Sequence, residues 1–303
     1  MATRGVSTVS KALPLPVFDR RAGTVTEEFL DDHKTTYESE PQRSAMQWLE
    51  SQPVYDRLIA WLQHAPWSRR KIEPFVRKHN IDMSAFEPGP FRSYAHFFVR
   101  RFRPGMRSFP QAPHEMGAFA EARYMGWSAL AADQKFPIKG HSLSAARILG
   151  SEARARPFEG GPVLLARLAP IDYHRVHFPD DGMSSGRKSI GGRLWTVNWH
   201  ALQNKDDILF VNEREVEILE TENFGVLGFG EIGAMTVGRI VQSHDAHKPF
   251  RRGAEKSYFN FGGSAIIVFG EPRAWTPAKD VLEHTGRGVE TYLRLGEVVA
   301  RRL

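Results

Sequence analysis

Residues 256–270 read KSYFNFGGSAIIVFG. Tyr258, Phe259 and Phe261 make an aromatic β-rich run, and Ala265 to Phe269 makes a short apolar strand. Between them stand Gly262, Gly263 and Ser264, so the break falls inside a sheet. Glycine weakens a strand interior and marks a bend or a close approach to the backbone. Two readings follow. One is a β-bulge; the other is a bent Gly263–Ser264 peptide whose serine hydroxyl attacks the carbonyl beside it.

Around this stretch, from about residue 115, short β-type runs alternate with glycine-bearing turns. Strands are predicted over 163–168, 194–198, 208–212, 215–220, 226–232 and 235–241. The N-terminal third is helical in pattern. Residues 42–63 place Met46, Leu49, Leu58, Ile59 and Leu62 at helical spacings, with Pro53 separating two short helices. A further helical stretch runs over 68–78, an aromatic, basic block occupies 91–102, and residues 1–40 read as an extended lead-in. The expected class is α+β: a helical, basic and aromatic region over 1–110, followed by a mainly antiparallel β core over 111–303. No fixed-period repeat is visible.

Composition narrows the chemistry. The 303 residues are 41% hydrophobic and 25% charged, enough for a substantial core. With no cysteine, disulfides, thiolate zinc sites and cysteine nucleophiles are excluded. A net charge of +6 favours anionic partners, nucleic acid or an anionic lipid surface. Nucleic acid has only that charge in its favour, and no nucleotide-binding glycine loop is present, so no nucleic-acid partner is expected. No apolar run approaches the roughly 18–20 residues that span a bilayer, and the first residues lack a signal-peptide core. A cytoplasmic protein is expected, peripheral at the inner face of the membrane. Trp48, Trp61 and Trp67, with Arg69, Arg70, Arg100, Arg101 and Arg103, suit a membrane interface; the alternative is an aromatic core with a solvated basic face.

A second chemical stretch is IDYHRVHFP, residues 171–179. His174 and His177 would face opposite sides of a strand but could converge on a turn. Only His200, His244 and His247 could join them on a metal, none at an informative spacing, so no metal site is expected. Acid–base work near neutral pH is the other use of such a pair. Upstream, AFAEAR at 118–123 carries Glu121, and KFPIKGHSLSAARILG occupies 135–150.

FGGSAIIVF, DYHRVHFP, FRSYAHFFVRRFRPGMRSF at 91–109 and the 135–150 segment occur in an order that resembles the phosphatidylserine decarboxylase family over about residues 91–269. That family's chain breaks between glycine and serine in LGST or GGSS, downstream of YHRVH-x-P. The chain departs from the pattern at Ala265, where threonine or serine is frequent, at Tyr94, where phenylalanine is common, at Ser142-Leu143-Ser144, and at Glu121, which stands where the family carries aspartate.

The resemblance implies autocatalytic cleavage between Gly263 and Ser264, giving a β chain 1–263 and an α chain 264–303. Ser264 would become a covalent pyruvoyl cofactor. His177, oriented by Glu121, would take the Ser264 proton, and His174 would donate a proton after decarboxylation. The implied reaction converts phosphatidylserine to phosphatidylethanolamine and CO2. Two alternatives stay open: a soluble decarboxylase of a free aromatic amino acid such as tryptophan, and a non-cleaving lipid-binding relative, hinted at by Glu121 and Ala265. Implied partners are the phospholipid or amino-acid substrate, an anionic membrane surface, the two chains of one precursor, and a second copy in a homodimer.

Overall fold

The computed structural model describes residues 15–28, 53–129, 144–192, 208–233, 240–260 and 264–303. Its centre is a ten-stranded sheet in the order Pro249–Phe250, Gly182–Ile190, Arg214–Thr221, Gly225–Ile232, Ser264–Gly270, Val163–Leu168, Ala122–Trp127, Glu290–Leu293, Leu15–Asp19 and Thr24–Glu28. Every neighbouring pair is antiparallel except Leu15–Asp19 beside Glu290–Leu293. The chain is therefore α+β, as its pattern predicts.

Ser264–Gly270 and Val163–Leu168 are buried at every position. A continuous apolar run, rather than an alternating one, is what a strand covered on both faces requires. Short helices supply part of that cover. Ala145–Leu149 packs on Gly225–Ile232, where a Cβ at Gly228 would lie 2.8 Å from the Phe158 ring and 3.1 Å from Leu149. Only glycine admits that approach. Lys279–Gly286 packs in the same way against Ala122–Trp127.

Two three-stranded sheets complete the β structure: Ile240–Gln242, Glu255–Phe259 and Arg175–His177, and Trp275–Pro277, Val298–Arg302 and Glu115–Gly117. Fully buried Lys256 fastens the first to the main sheet, its Nζ lying 2.8 Å from Glu217 and 2.9 Å from Glu231. Burial alone would raise the Glu217 carboxyl, but Lys256, with Ser184 and Arg187, outweighs it and holds the group below its usual range.

Some expectations change. The run at 208–212 is a helix, Ile208–Val211, because Arg214 donates to the carbonyls of Phe210 and Asn212 at its end (2.8 and 3.1 Å). A four-residue apolar run carries no period to separate strand from helix. Within the extended lead-in, residues 15–28 form a hairpin on the sheet edge, turning at Gly23 with φ +66° and tied by Arg20 to Asp280 at 2.6 Å. Pro53 does not separate two helices among the described residues. It is the first residue of Pro53–His64, where its missing N–H costs nothing. The stretch 68–78 is a 3-10 turn, Pro66–Lys71, running into Ile72–Lys78, and 91–102 contains Tyr94–Phe98. The predicted strand 194–198 lies outside the described residues, and of 235–241 only the end, in Ile240–Gln242, is described.

Candidate active site

Strand register carries the candidate residues to one end of the main sheet. Ser264 opens its strand opposite Leu168, the last residue of its neighbour. From Leu168 the chain runs straight into the turn that carries Asp172, Tyr173 and His174. On the far side of that neighbour, Arg123 lies opposite Arg167, so Glu121 enters from the same end.

Ser264 is fully buried, and its Oγ has no hydrogen-bond partner among the described residues. A buried, unsatisfied hydroxyl costs about 1–3 kcal/mol. Gly262 and Gly263 lie outside the described residues, so the geometry of the Gly263–Ser264 bond does too.

The two histidines have separate surroundings. His174 is fully buried just before the strand Arg175–His177, and its carbonyl accepts the Phe259 N–H at 2.9 Å. Its Nδ1 lies 3.0 Å from the Asp172 carbonyl, which fixes the proton on Nδ1, and its ring packs 4.0 Å from Phe98. His177 has its Nδ1 2.7 Å from the Gly253 carbonyl, so that nitrogen also carries the proton. The Tyr173 hydroxyl then donates to Nε2 at 3.1 Å. Burial lowers the His177 pKa below the ordinary histidine value, against the Gly253 bond, which raises it. His177 is accordingly a neutral imidazole at pH 7 with an accepting Nε2, the form a general base needs.

The carboxylate expected to orient His177 has another partner. Glu121, buried, accepts from Arg107 Nε at 2.5 Å, while both His177 nitrogens are engaged by Tyr173 and Gly253. Burial raises the Glu121 carboxyl above its usual range, and Arg107 pulls it back. The longer side chain thus ends on a cation rather than on the imidazole. The link to His177 is through the backbone: the His177 N–H donates at 2.8 Å to the carbonyl of Phe119, two residues before Glu121.

Three further residues belong to the site. Asp172, one turn position before Tyr173, binds Arg123 and accepts the Ala169 N–H at 2.6 Å, closing the turn. Tyr173 occupies His177 Nε2, and Arg107 holds Glu121. Asp172 and Tyr173 stand inside DYHRVH and Arg107 inside the 91–109 stretch, so their positions in the sequence were a usable signal; the pairing of Arg107 with Glu121 was not, since folding sets it.

The chain is also similar to known sequences over most of its length. Residues 94–301 match the sequence profile of the phosphatidylserine decarboxylase family. The phosphatidylserine decarboxylase proenzyme of Chlamydia pneumoniae is 34% identical over 269 residues, covering 88% of this chain and 89% of that protein. The proenzyme of Desulfitobacterium hafniense (strain Y51) is 34% identical over 289 residues, covering 89% and 97%. Spanning most of its length and including the Gly-Ser and Tyr-His-Arg-Val-His stretches, this likeness means that the chain belongs to the phosphatidylserine decarboxylase family.

Proposed function

We propose that the chain is a self-processing carboxy-lyase that converts phosphatidylserine to phosphatidylethanolamine and CO2. The observation that carries this reading is Ser264: fully buried, unpartnered at Oγ among the described residues, and opening the central strand directly after Gly262-Gly263. In processing, His177 Nε2 releases the Tyr173 hydroxyl and takes the Ser264 proton. The Oγ then attacks the Gly263 carbonyl carbon, and the peptide becomes an ester. Loss of the residue 264 Cα proton to a base, with breaking of the Oγ–Cβ bond, leaves Gly263 with a carboxylate and residue 264 with a Cα=Cβ double bond; its imine tautomer takes up one water, giving the ketone and releasing the nitrogen as ammonia.

The residues fit the pyruvoyl group that this chemistry leaves, since the buried, unpartnered hydroxyl is at the position where it would form. It would be held covalently at position 264, where its conjugated carbonyl serves as the electron sink for carboxylate loss. His174 is the proton carrier for turnover. Its Nδ1 is committed to the Asp172 carbonyl, so the proton it exchanges sits on Nε2. The test is to incubate the matured protein with phosphatidylserine in detergent micelles and, separately, with free tryptophan, and to measure CO2 release. Turnover of the lipid alone supports the proposal; turnover of tryptophan alone removes it.

Glu121 acts through Arg107 and the Phe119 carbonyl rather than as the acid of a triad. Glu121→Gln and Arg107→Gln should therefore slow self-cleavage by similar factors, on the order of 10- to 100-fold. That is well short of the roughly 10,000-fold loss expected of a carboxylate touching the histidine. A much larger loss in Glu121→Gln than in Arg107→Gln, measured as precursor decay on denaturing gels, would restore a direct Glu121–His177 contact.

The lipid is presented at a membrane surface. Leu58, Trp61 and Trp67 are 52%, 59% and 54% exposed, and the two indoles meet edge to face at 5.6 Å. Exposed Arg69, Arg70 and Lys71 follow directly. Indole and basic side chains together suit docking at the headgroup level. Trp48 lies outside the described residues, and Arg100 does not belong to this face, because it is buried. Replacing Arg69, Arg70 and Lys71 by glutamine should cost about 1 kcal/mol each in binding to anionic vesicles, or on the order of 100-fold in all. Unchanged flotation with phosphatidylserine-containing liposomes would rule out this surface.

A further inference from the structure

Arg100 follows the helix Tyr94–Phe98 and is only 2% exposed. Its guanidinium lies between the rings of Phe86 and Phe97, 4.5 and 4.8 Å from their centroids. Nη2 donates to the carbonyls of Ile171 at 2.9 Å and Asp172 at 3.3 Å. The Asp172 carbonyl is the one that also receives His174 Nδ1. Phe98, two residues before Arg100, packs on the His174 ring. One short segment thus touches the imidazole directly and also holds the carbonyl that orients it.

Stability alone is a poor account of this arginine. Of the other buried arginines, Arg123, Arg167 and Arg175 are each paired with a carboxylate, on Asp172, Glu290 and Glu255, and Arg214 donates from all three of its nitrogens to main-chain carbonyls. Arg100 donates to main-chain carbonyls, and its Nε and Nη1 have no partner among the described residues. Burial pushes its pKa down to about 10, so it remains charged at neutral pH. The nearby Asp172 and Glu121 carboxylates offset only part of that burial, and an apolar side chain of similar volume is often as stable or more so. Lysine, a single point donor on a flexible stem, could not span two aromatic faces and two carbonyls in this way.

We infer that Arg100 is the positioning residue for His174, bracing the Ile171–Asp172 turn so that the imidazole meets the substrate in register. The inference rests on the proposed role of His174 in decarboxylation. Self-cleavage uses His177, whose contacts are Tyr173, Gly253 and Phe119 instead, so the chain carries its own control for folding.

The experiment compares Arg100→Met, Arg100→Lys and Arg100→Ala with His174→Ala and wild type. It follows precursor cleavage on gels and steady-state decarboxylation of a short-chain phosphatidylserine. The Arg100 variants should mature, keep KM within about threefold and lose about 100-fold in kcat, the scale of a misplacement near 1 Å. Millimolar guanidinium ion should restore part of kcat in Arg100→Ala and none in His174→Ala. Matured Arg100 variants with full kcat would overturn the inference. So would a rise in KM at unchanged kcat, which marks a substrate anchor, or failure of all three to mature, which marks a folding role. If wild type does not decarboxylate the lipid, or His174→Ala keeps full kcat, the underlying reading of the site has failed instead.

Discussion

Ser264→Ala is expected to leave one uncut chain of 303 residues with no decarboxylase activity. Alanine offers no Oγ, so no ester forms at Gly263, the chain stays whole and the carbonyl group needed for turnover never appears. Wild type should instead resolve into chains of 263 and 303 − 263 = 40 residues, the smaller one blocked at its N-terminus. Stability separates this effect from misfolding. The Ser264 hydroxyl is buried and unpartnered among the described residues. Removing it leaves only a methyl and takes away an unsatisfied polar group, so the variant should melt no lower than the uncleaved wild type. A single intact wild-type chain that still releases CO2 would sink the pyruvoyl mechanism.

The second large effect divides the histidines. His177→Ala removes the nitrogen that takes the Ser264 proton, and the chain should remain uncut. His174→Ala should mature and then lose about 100- to 10,000-fold in turnover, the range for a general acid or base. Equal failure of cleavage in both variants would show that the roles are not divided. Acidity supplies a further check. Burial keeps His177 below the ordinary value near 6.5, so it stays neutral through pH 7 and above. Wild-type maturation should therefore be flat from pH 7 upward and slow only in acid, as Nε2 becomes protonated and can no longer accept. A rate that climbs steeply between pH 7 and 9 would point to a base other than His177.

The β character of 264–270 was legible because five successive apolar residues after a glycine pair suit a strand buried on both sides, and that is its place in the sheet. The run at 208–212 was not legible. Its length shows no period, and its helical form is completed by Arg214 and by Asn212, which reaches across to the Gly233 carbonyl at 2.8 Å. Glu121 shows the same limit at the site. Its departure from the family residue was visible in the chain, but its partner Arg107 was not, because a side chain of that length can reach many groups and folding selects one.

The sequence by itself determined the chemistry available to this protein. It holds one serine behind two glycines, two histidines three residues apart, a carboxylate upstream and no thiol, in a family order that local residue identity is enough to reveal. Only the tertiary structure decided how these groups are coupled. His177 receives its tautomer from Gly253, 76 residues away, and His174 is braced through a carbonyl held by Arg100, 72 residues from Asp172. Such contacts join parts of the chain that only the packed sheets bring together, and a hydrogen bond exists only where folding has set donor and acceptor within about 3 Å.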